Sequence, residues 1–442
     1  MPAFARLFSR ETHAFSRETH AAEVRFPRHS HRLKVVSTAA ASAVLVVGVA
    51  AGCSSGGGGG GSSADSPVVI CEDAAQSGPF AALGTNDGYG ATAWANMVNK
   101  SGGLLGHQVK IVIENNASDP ATAASAARKC VTQDHANFIF GPENSATVTA
   151  AIPVSNQLQT ILLGWSSGWD NQGVSNANLH SYAFPGIGNV FFADDQEMIT
   201  QIIVPRHYTR VAVIDENTPG GLSNLPYMKS LQSKYGYQVV SSQIINPGST
   251  NDTPQVLNLL KGNPQVIVLG LTPGPDTITF LKTMRAQSPT IPIGECSACT
   301  TTQFIDAVGG ASAMQDIYLI GTPDNALTAF ANSSANAAAL TDTRAYIAAM
   351  KAAGEGSTTL IDEGSEGWDT GQELAAAIKS ANSISESAVK NALEHQKLAT
   401  GGEDLYEWTR TPQDYSTMSS ALAAMDTVAP NGALTVVPYV GS

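Results

Sequence analysis

FIFGPENSAT, residues 138–147, joins two signals that together decide the fold. Phe138-Ile139-Phe140 is a short apolar run, the kind that forms a strand buried on both faces of a parallel sheet. Gly141-Pro142 ends the run, and Ser145 is placed to cap a helix that continues through small residues. A buried strand followed directly by a helix predicts a βα unit.

The same alternation extends to both sides of this stretch, and it restarts after about residue 188. Two consecutive sets of βα units predict an α/β fold with two doubly wound parallel-sheet lobes. The other predicted strands are 68–70, 109–113, 161–163, 211–214, 239–245, 266–269, 291–293 and 317–320.

The last third of the chain is helical and contains few strand signals. Helices are predicted at 341–353, 368–381 and 385–395, and an edge strand at 434–440. These helices are too few for a third domain, so we expect them to pack on the two lobes. The predicted division assigns 67–187 and 321–398 to lobe one, and 188–320 and 399–442 to lobe two.

The N-terminal region has the layout of a secretory signal: basic residues, an apolar run, then small residues ending at Cys53. Ala50-Ala51-Gly52-Cys53 resembles a bacterial lipobox, although that family usually has leucine at position 50. We therefore expect residues 1–53 to be a signal peptide in which Cys53 is lipidated, and 54–66 to be a flexible Gly/Ser linker. The alternative is a single membrane-spanning helix, for which the run is short and weakly apolar. The predicted location is extracytoplasmic, on the outer face of the cell membrane.

The net charge of the chain limits the classes of partner that it can be expected to bind. Residues 54–442 contain 17 basic and 34 acidic residues, so nucleic acid and anionic membrane surfaces are excluded as expected partners.

The four other cysteines are an even number in an exported chain, which favours disulfides. Cys296 and Cys299 are spaced for a local bridge or, alternatively, a thioredoxin-like redox pair; Cys71 and Cys130 remain by elimination. Zinc would require two more ligands near Cys296, so we predict no metal and no cofactor.

Ligands of parallel α/β lobes bind at the carboxyl ends of strands, and two segments follow such ends. Asn144 and Ser145 precede a helix, whose N-terminal N–H groups favour a carboxylate. The alternative is a plain helix cap without a ligand.

The second segment is Gly164-Trp165-Ser166-Ser167-Gly168-Trp169-Asp170. Its G-x-S-x-G pattern matches a hydrolase nucleophile elbow at Ser166, but that motif needs a following helix, and loop residues follow here. His180, His207 and His395 carry no sequence signature of a catalytic base, so we predict no catalytic residue. As a binding loop, the segment offers hydroxyls, backbone amides and two indoles to a ligand. Alternatively, Trp165 and Trp169 pack beneath the loop.

Several short motifs occur in an order that resembles one protein family. They are Ser77-Gly78-Pro79, the segments 98–106, 116–120 and 141–147, and Gly367-Trp368-Asp369. Together they are similar to the type I periplasmic binding proteins of the leucine/isoleucine/valine class, which serve ABC transporters. The resemblance implies two lobes joined by a three-segment hinge, an amino acid or small amide as ligand, and a permease as partner.

The resemblance also assigns roles to individual residues. Ser145 would contact the ligand carboxylate, and Ser166 and Ser167 would offer backbone groups. Gly168 stands where the amino-acid binders usually have threonine, and Glu295 lies close to the acidic position that pairs with the ligand ammonium. The function expected is therefore capture and release of a small polar molecule rather than catalysis. A ligand-sensing receptor subunit of the same fold is the alternative, and an extracellular serine hydrolase using Ser166 is a further one.

Overall fold

The structure is a computed structural model that describes residues 66–166, 182–186, 190–296, 299–330, 337–354, 364–401, 405–411 and 424–438. The signal peptide and Cys53 lie outside these residues, so the lipid anchor stays a prediction. Among the described residues, no helix combines the length and apolar character that a membrane crossing requires.

The first sheet is formed by the first set of βα units and is entirely parallel. Its strand order is β2-β1-β3-β4-β5. Its strands are β1 (Val68–Ala74), β2 (Val109–Asn115), β3 (Phe138–Phe140), β4 (Ile161–Gly164) and β5 (Ala183–Pro185).

The second sheet has the order β14-β13-β10-β9-β8-β6-β7. The five strands from β6 to β10 are parallel, and β13 and β14 are antiparallel additions at one edge. Its strands are β6 (Arg210–Glu216), β7 (Gln238–Ile245), β8 (Val266–Gly270), β9 (Ile293–Cys296), β10 (Ile317–Ile320), β13 (Met425–Val428) and β14 (Leu434–Val436).

Twelve α-helices connect and cover these strands in the part of the chain described. They are α1 (Ala81–Lys100), α2 (Pro120–Thr132), α3 (Ser145–Leu158), α4 (Val190–Glu197), α5 (Gly221–Tyr235), α6 (Thr253–Lys261), α7 (Pro275–Gln287), α8 (Thr302–Val308), α9 (Pro323–Phe330), α10 (Ala337–Ala353), α11 (Gly364–Ala381) and α12 (Glu386–Leu393). A π-helical segment, Met198–Ile203, continues α4.

The predicted α/β class with two parallel sheets is confirmed, with local differences. The strand expected at 291–293 begins two residues later, because Pro292 lacks the N–H that ladder pairing uses. The expected edge strand at 434–440 is present as the shorter β14. The short β5 was not predicted, since three residues are too few to show a periodic pattern.

The three C-terminal helices complete the core of the first lobe, as predicted. Tyr346 of α10, Trp368 of α11 and Leu393 of α12 are fully buried in one cluster with β1 and β3 side chains such as Ile70. Full burial of an aromatic side chain contributes roughly 1.5 to 3 kcal/mol, so these helices add substantially to the stability of that lobe.

A two-stranded antiparallel hairpin lies across one of the predicted boundaries between the lobes. It consists of β11 (Lys397–Gly401) and β12 (Leu405–Thr409), and both strands pack on helices of the first lobe, α10 in particular. The boundary predicted between residues 398 and 399 cuts through this hairpin. The hairpin was missed because its strands are only five residues long, and because their position depends on a helix surface remote in sequence.

Both cysteine pairs considered in the sequence are joined in the structure. Cys71 of β1 is bonded to Cys130 of α2, and Cys296 of β9 to Cys299. The first disulfide ties a sheet strand to its covering helix across 59 residues, and closing a loop of that length restricts the unfolded chain.

Candidate ligand-binding site

The loops after the two sheets meet each other at the carboxyl ends of their strands. Pro79, in the loop after β1, lies against the loops that follow β7 and β8. A Cβ built on Gly248 would lie 3.8 Å from Pro79 Cγ, and one on Gly274 would lie 3.6 Å from Pro79 O. The edge where ligands of parallel sheets bind is therefore shared by both lobes.

Ser145 forms a direct hydrogen bond across this edge. Its Oγ accepts from the backbone N–H of Gly220, in the loop after β6, at 2.9 Å, and the bond is buried. One residue of the first lobe is thereby linked to a backbone amide of the second. The two atoms belong to elements of different sheets, so the bond spans the space between the lobes.

The cap of α3 differs from the prediction. Asn144, not Ser145, is the N-cap residue: its side chain accepts from Ala146 N at 2.8 Å, and Ser145 is the first helical residue. Both residue types cap helices well, so the sequence alone does not show which of the adjacent Asn and Ser is the N-cap of the helix. The shift frees the Ser145 hydroxyl from capping and allows its contact with Gly220.

The other predicted site residues are only partly described. Trp165 is fully buried, with its ring edge-on to Phe140 at 6.4 Å between centroids, so it packs in the core of the first lobe. Ser166 is also buried, directly after β4. Glu295 lies in β9. Ser167, Gly168 and Trp169 lie outside the described residues, so their roles stay predictions.

Sequence reasoning missed Glu143, which lies where the loops after β1, β2 and β3 meet. Its Oε2 accepts from Ala75 N at 3.0 Å and from Asn116 Nδ2 at 3.1 Å, and these two partners follow β1 and β2. Burial raises the pKa of the Glu143 carboxyl. In the sequence, Glu143 looks like any acidic residue in a loop. The only signal of a role in the site is that it lies shortly after the buried strand β3.

Buried acids also line the second lobe at the same edge. Glu216 ends β6 and its Oε2 accepts from Thr272 Oγ1 at 2.9 Å. Burial, with the charge of Asp276 adding to it, raises the pKa of Glu216 to about 8. Burial likewise raises the pKa of the preceding Asp215 to about 7.

These raised pKa values predict that the protein without ligand is more stable at mildly acidic than at neutral pH. The folded state holds protons on Glu216 and Asp215 that the unfolded chain releases above about pH 4. Their contribution to the free energy of unfolding is complete below about pH 4 and is lost as the pH rises through about 7 to 8, the folded-state pKa values of Asp215 and Glu216. We expect the free energy of unfolding from urea titrations to fall by at least about 1 kcal/mol between about pH 5 and about pH 8. A rise over that interval would contradict the assignment.

His207, one of the histidines considered for hydrolysis, lies at the opposite edge of the second sheet. His207 precedes β6, at the amino end of its strand, and is exposed. His395 follows α12, where its Nδ1 contacts Asn391 O at 2.8 Å. His207 therefore offers no base to Ser166, which follows the carboxyl end of β4. His180 lies outside the described residues.

Comparisons with known proteins agree with this architecture. A family model described as a periplasmic binding protein matches residues 74–428. The Leu/Ile/Val-binding protein BraC3 of Rhizobium johnstonii is 37% identical over 95 residues, which is 22% of this chain and 25% of that protein. An amino acid binding protein of Pseudomonas aeruginosa is 22% identical over 255 residues, or 57% of this chain and 66% of that protein. The matched regions thus span from a quarter to about two thirds of these relatives.

Solved structures share the fold over most of the chain. An extracellular ligand-binding receptor from Rhodopseudomonas palustris has a TM-score of 0.70 at 18% identity, covering 84% of this chain and 100% of that one. The branched-chain amino acid transporter substrate binding protein LivJ from Streptococcus pneumoniae, solved in complex with isoleucine, has a TM-score of 0.61 at 19% identity. That match covers 81% of this chain and 99% of LivJ.

Proposed function

Because this chain belongs to the periplasmic binding protein family, we propose that it captures a small polar solute, an amino acid or related molecule, between its two lobes. It then delivers the solute to an ABC transporter permease. The hydrogen bond between Ser145 Oγ and Gly220 N carries the proposal, because it joins the two lobes at the edge where ligands bind. A ligand that adds contacts only in the closed state shifts the protein towards closure.

The location follows from the N-terminal sequence. We propose that Cys53 carries the lipid and that the glycine-rich residues after it connect the folded part to the outer face of the membrane. Metabolic labelling with a radioactive fatty acid tests this step: Cys53→Ala should abolish incorporation. Unchanged labelling of that variant would refute the anchor.

In the alternative function, the protein is a ligand-sensing receptor subunit. It would close on its ligand in the same way, but its partner would be a signalling protein rather than a permease. It finds some support in the R. palustris structure, which is named an extracellular ligand-binding receptor. Co-purification from detergent-solubilised membranes separates the two: a permease in the complex supports delivery, and a sensor kinase supports signalling.

The binding experiment uses calorimetry on the detergent-solubilised full-length protein with amino acids and small amides as probes. We expect saturable binding and unchanged ligand after incubation. Absence of binding to every probe, combined with release of product from an activated ester that Ser166→Ala abolishes, would favour the hydrolase instead.

Ser145→Ala is predicted to weaken ligand binding about tenfold, which is about 1.4 kcal/mol. The variant leaves the Gly220 N–H without its acceptor in the closed state, and an unmade buried hydrogen bond costs about 1 to 3 kcal/mol. Calorimetric affinities for the same probe measure the change. Ser125→Ala is the matched control, because Ser125 is exposed on α2 and bonds only within its helix to Ala121 O. Equal affinities for both variants would contradict the role given to Ser145.

A further inference from the structure

The disulfide between Cys296 and Cys299 lies at the edge of the second sheet where ligands of parallel sheets bind. Cys296 is the last residue of β9, which is the fourth of the seven strands in the order of that sheet. Cys299 comes three residues later, shortly before α8. The bond therefore ties the carboxyl end of the central strand to the start of the helix that follows it.

The two disulfides of this protein close loops of very different length. Cys71 and Cys130 are 59 residues apart in the sequence, whereas Cys296 and Cys299 are three residues apart. When a disulfide stabilises a protein by restricting the unfolded chain, its contribution grows with the logarithm of the loop length. The short bridge therefore adds less to the stability of the whole protein than the long one, and its main effect is local.

Both cysteines of the short bridge are buried. Cys296 is 1% exposed and Cys299 is 0% exposed. Thiol–disulfide exchange requires that a thiolate reach one of the two sulfurs. Burial of both residues withholds the bridge from an external thiol, which favours a structural bridge over the thioredoxin-like redox pair that the sequence leaves open.

The bridge packs against a loop that contacts the first lobe. Cys296 and Cys299 belong to one buried cluster with Leu271, which lies in the loop after β8. Three residues further along that loop, a Cβ on Gly274 would lie 3.6 Å from Pro79 O of the first lobe. Because buried side chains are closely packed, a shift of the bridge moves Leu271 and, with it, the contact between the lobes.

The start of α8 depends on the same bridge. Thr301, two residues after Cys299, is the N-cap of α8, and its side chain accepts from Phe304 N at 3.1 Å. This cap requires that the backbone before the helix be held in an extended conformation. The disulfide fixes that backbone to the end of β9.

We propose, on the premise of the function proposed above, that the Cys296–Cys299 disulfide is a positioning element for ligand binding. It holds the end of β9, the start of α8 and the loop after β8 in the arrangement that meets the first lobe. Without the bridge, the protein folds, but a ligand must order this edge when it binds. That ordering has a free-energy cost, so binding is weaker.

Two matched double variants test the proposal: Cys296→Ala/Cys299→Ala and, as the control, Cys71→Ala/Cys130→Ala. Calorimetry on the detergent-solubilised full-length proteins uses L-isoleucine, L-glutamate, L-arginine and acetamide as probes, at a temperature at which both variants are folded. We expect loss of the short bridge to weaken binding of the probe that the wild type binds best by about tenfold. Loss of the long bridge should change that affinity by less than about twofold, because it joins β1 to a covering helix away from the binding edge.

Melting temperatures of the same variants, measured by circular dichroism, should rank in the opposite order. The fall should be larger without the Cys71–Cys130 bridge, because that bridge closes the longer loop. A purely structural role would make the loss of affinity follow the loss of stability. Amide hydrogen exchange without ligand gives a further readout: exchange in residues 299–304 should become faster only in Cys296→Ala/Cys299→Ala.

The outcomes separate this proposal from the one on which it rests. If the wild type binds a probe and Cys296→Ala/Cys299→Ala binds it equally well, the positioning role is overturned and the solute-binding function stands. A larger loss of affinity in Cys71→Ala/Cys130→Ala would also overturn the positioning role. Binding of none of the probes by the wild type, without lobe closure, would count against both proposals.

Discussion

Replacement of Arg410 by methionine is expected to lower the free energy of unfolding by about 3 to 5 kcal/mol. Arg410 follows β12, and its guanidinium lies 2.9 Å from Glu373 Oε1 with neither side chain exposed. The same guanidinium also donates to Pro185 O, at the end of β5, and lies 5.7 Å from the centroid of the Phe184 ring. Its removal leaves a buried carboxylate and a buried carbonyl without their donors.

The double variant Arg410→Met/Glu373→Met provides the control for this prediction. Replacing both charged partners removes the uncompensated carboxylate, so much of the lost stability should return. Urea titrations of the two variants and the wild type at neutral pH measure the differences. An Arg410→Met protein within about 1 kcal/mol of the wild type would show that the pair contributes little.

Gly90→Ala is expected to destabilise the protein by about 3 kcal/mol or more, although alanine normally favours a helix over glycine by about 1 kcal/mol. Gly90 lies where α1 crosses α11. A Cβ on it would be 1.6 Å from the carbonyl oxygen of Gly364, and one on Gly367 would be 1.9 Å from Asp87 O. Both obstacles are backbone atoms, so one helix must move to accommodate the added methyl group.

The expected result is a large fall in melting temperature, measured by circular dichroism. Thr92→Ala serves as the control, because Thr92 is exposed on the same helix two residues away. The prediction would be wrong if Gly90→Ala melted at or above the wild-type temperature. Such a result would mean that α1 and α11 are further apart than the structure places them.

Much of the fold could be predicted from the sequence, because fully buried parallel strands are continuous apolar runs. Phe138–Phe140 and Ile317–Ile320 were recognised in this way. The β11–β12 hairpin could not be predicted, because its strands follow the surface of α10 rather than a pattern of their own. The close contact between α1 and α11 at Gly90 could not be predicted either. A glycine within a helix does not indicate which other element packs against it.

The site was predicted in part. Segment 141–147 was correctly placed at a strand end, but the sequence emphasised its helix cap and passed over Glu143. The importance of that residue comes from Ala75 and Asn116, which the sheet brings together from distant positions.

The central claim is that the two lobes close on a solute, and a distance measurement between them tests it most directly. Spin labels are placed on the exposed positions Arg128 of α2 and Lys234 of α5, one in each lobe. Pulsed electron resonance then records the distance distribution with amino acids and small amides as probes, and without ligand. We predict a broad distribution that becomes narrow and shorter with a ligand that binds. A distribution that is identical under all of these conditions would contradict the account.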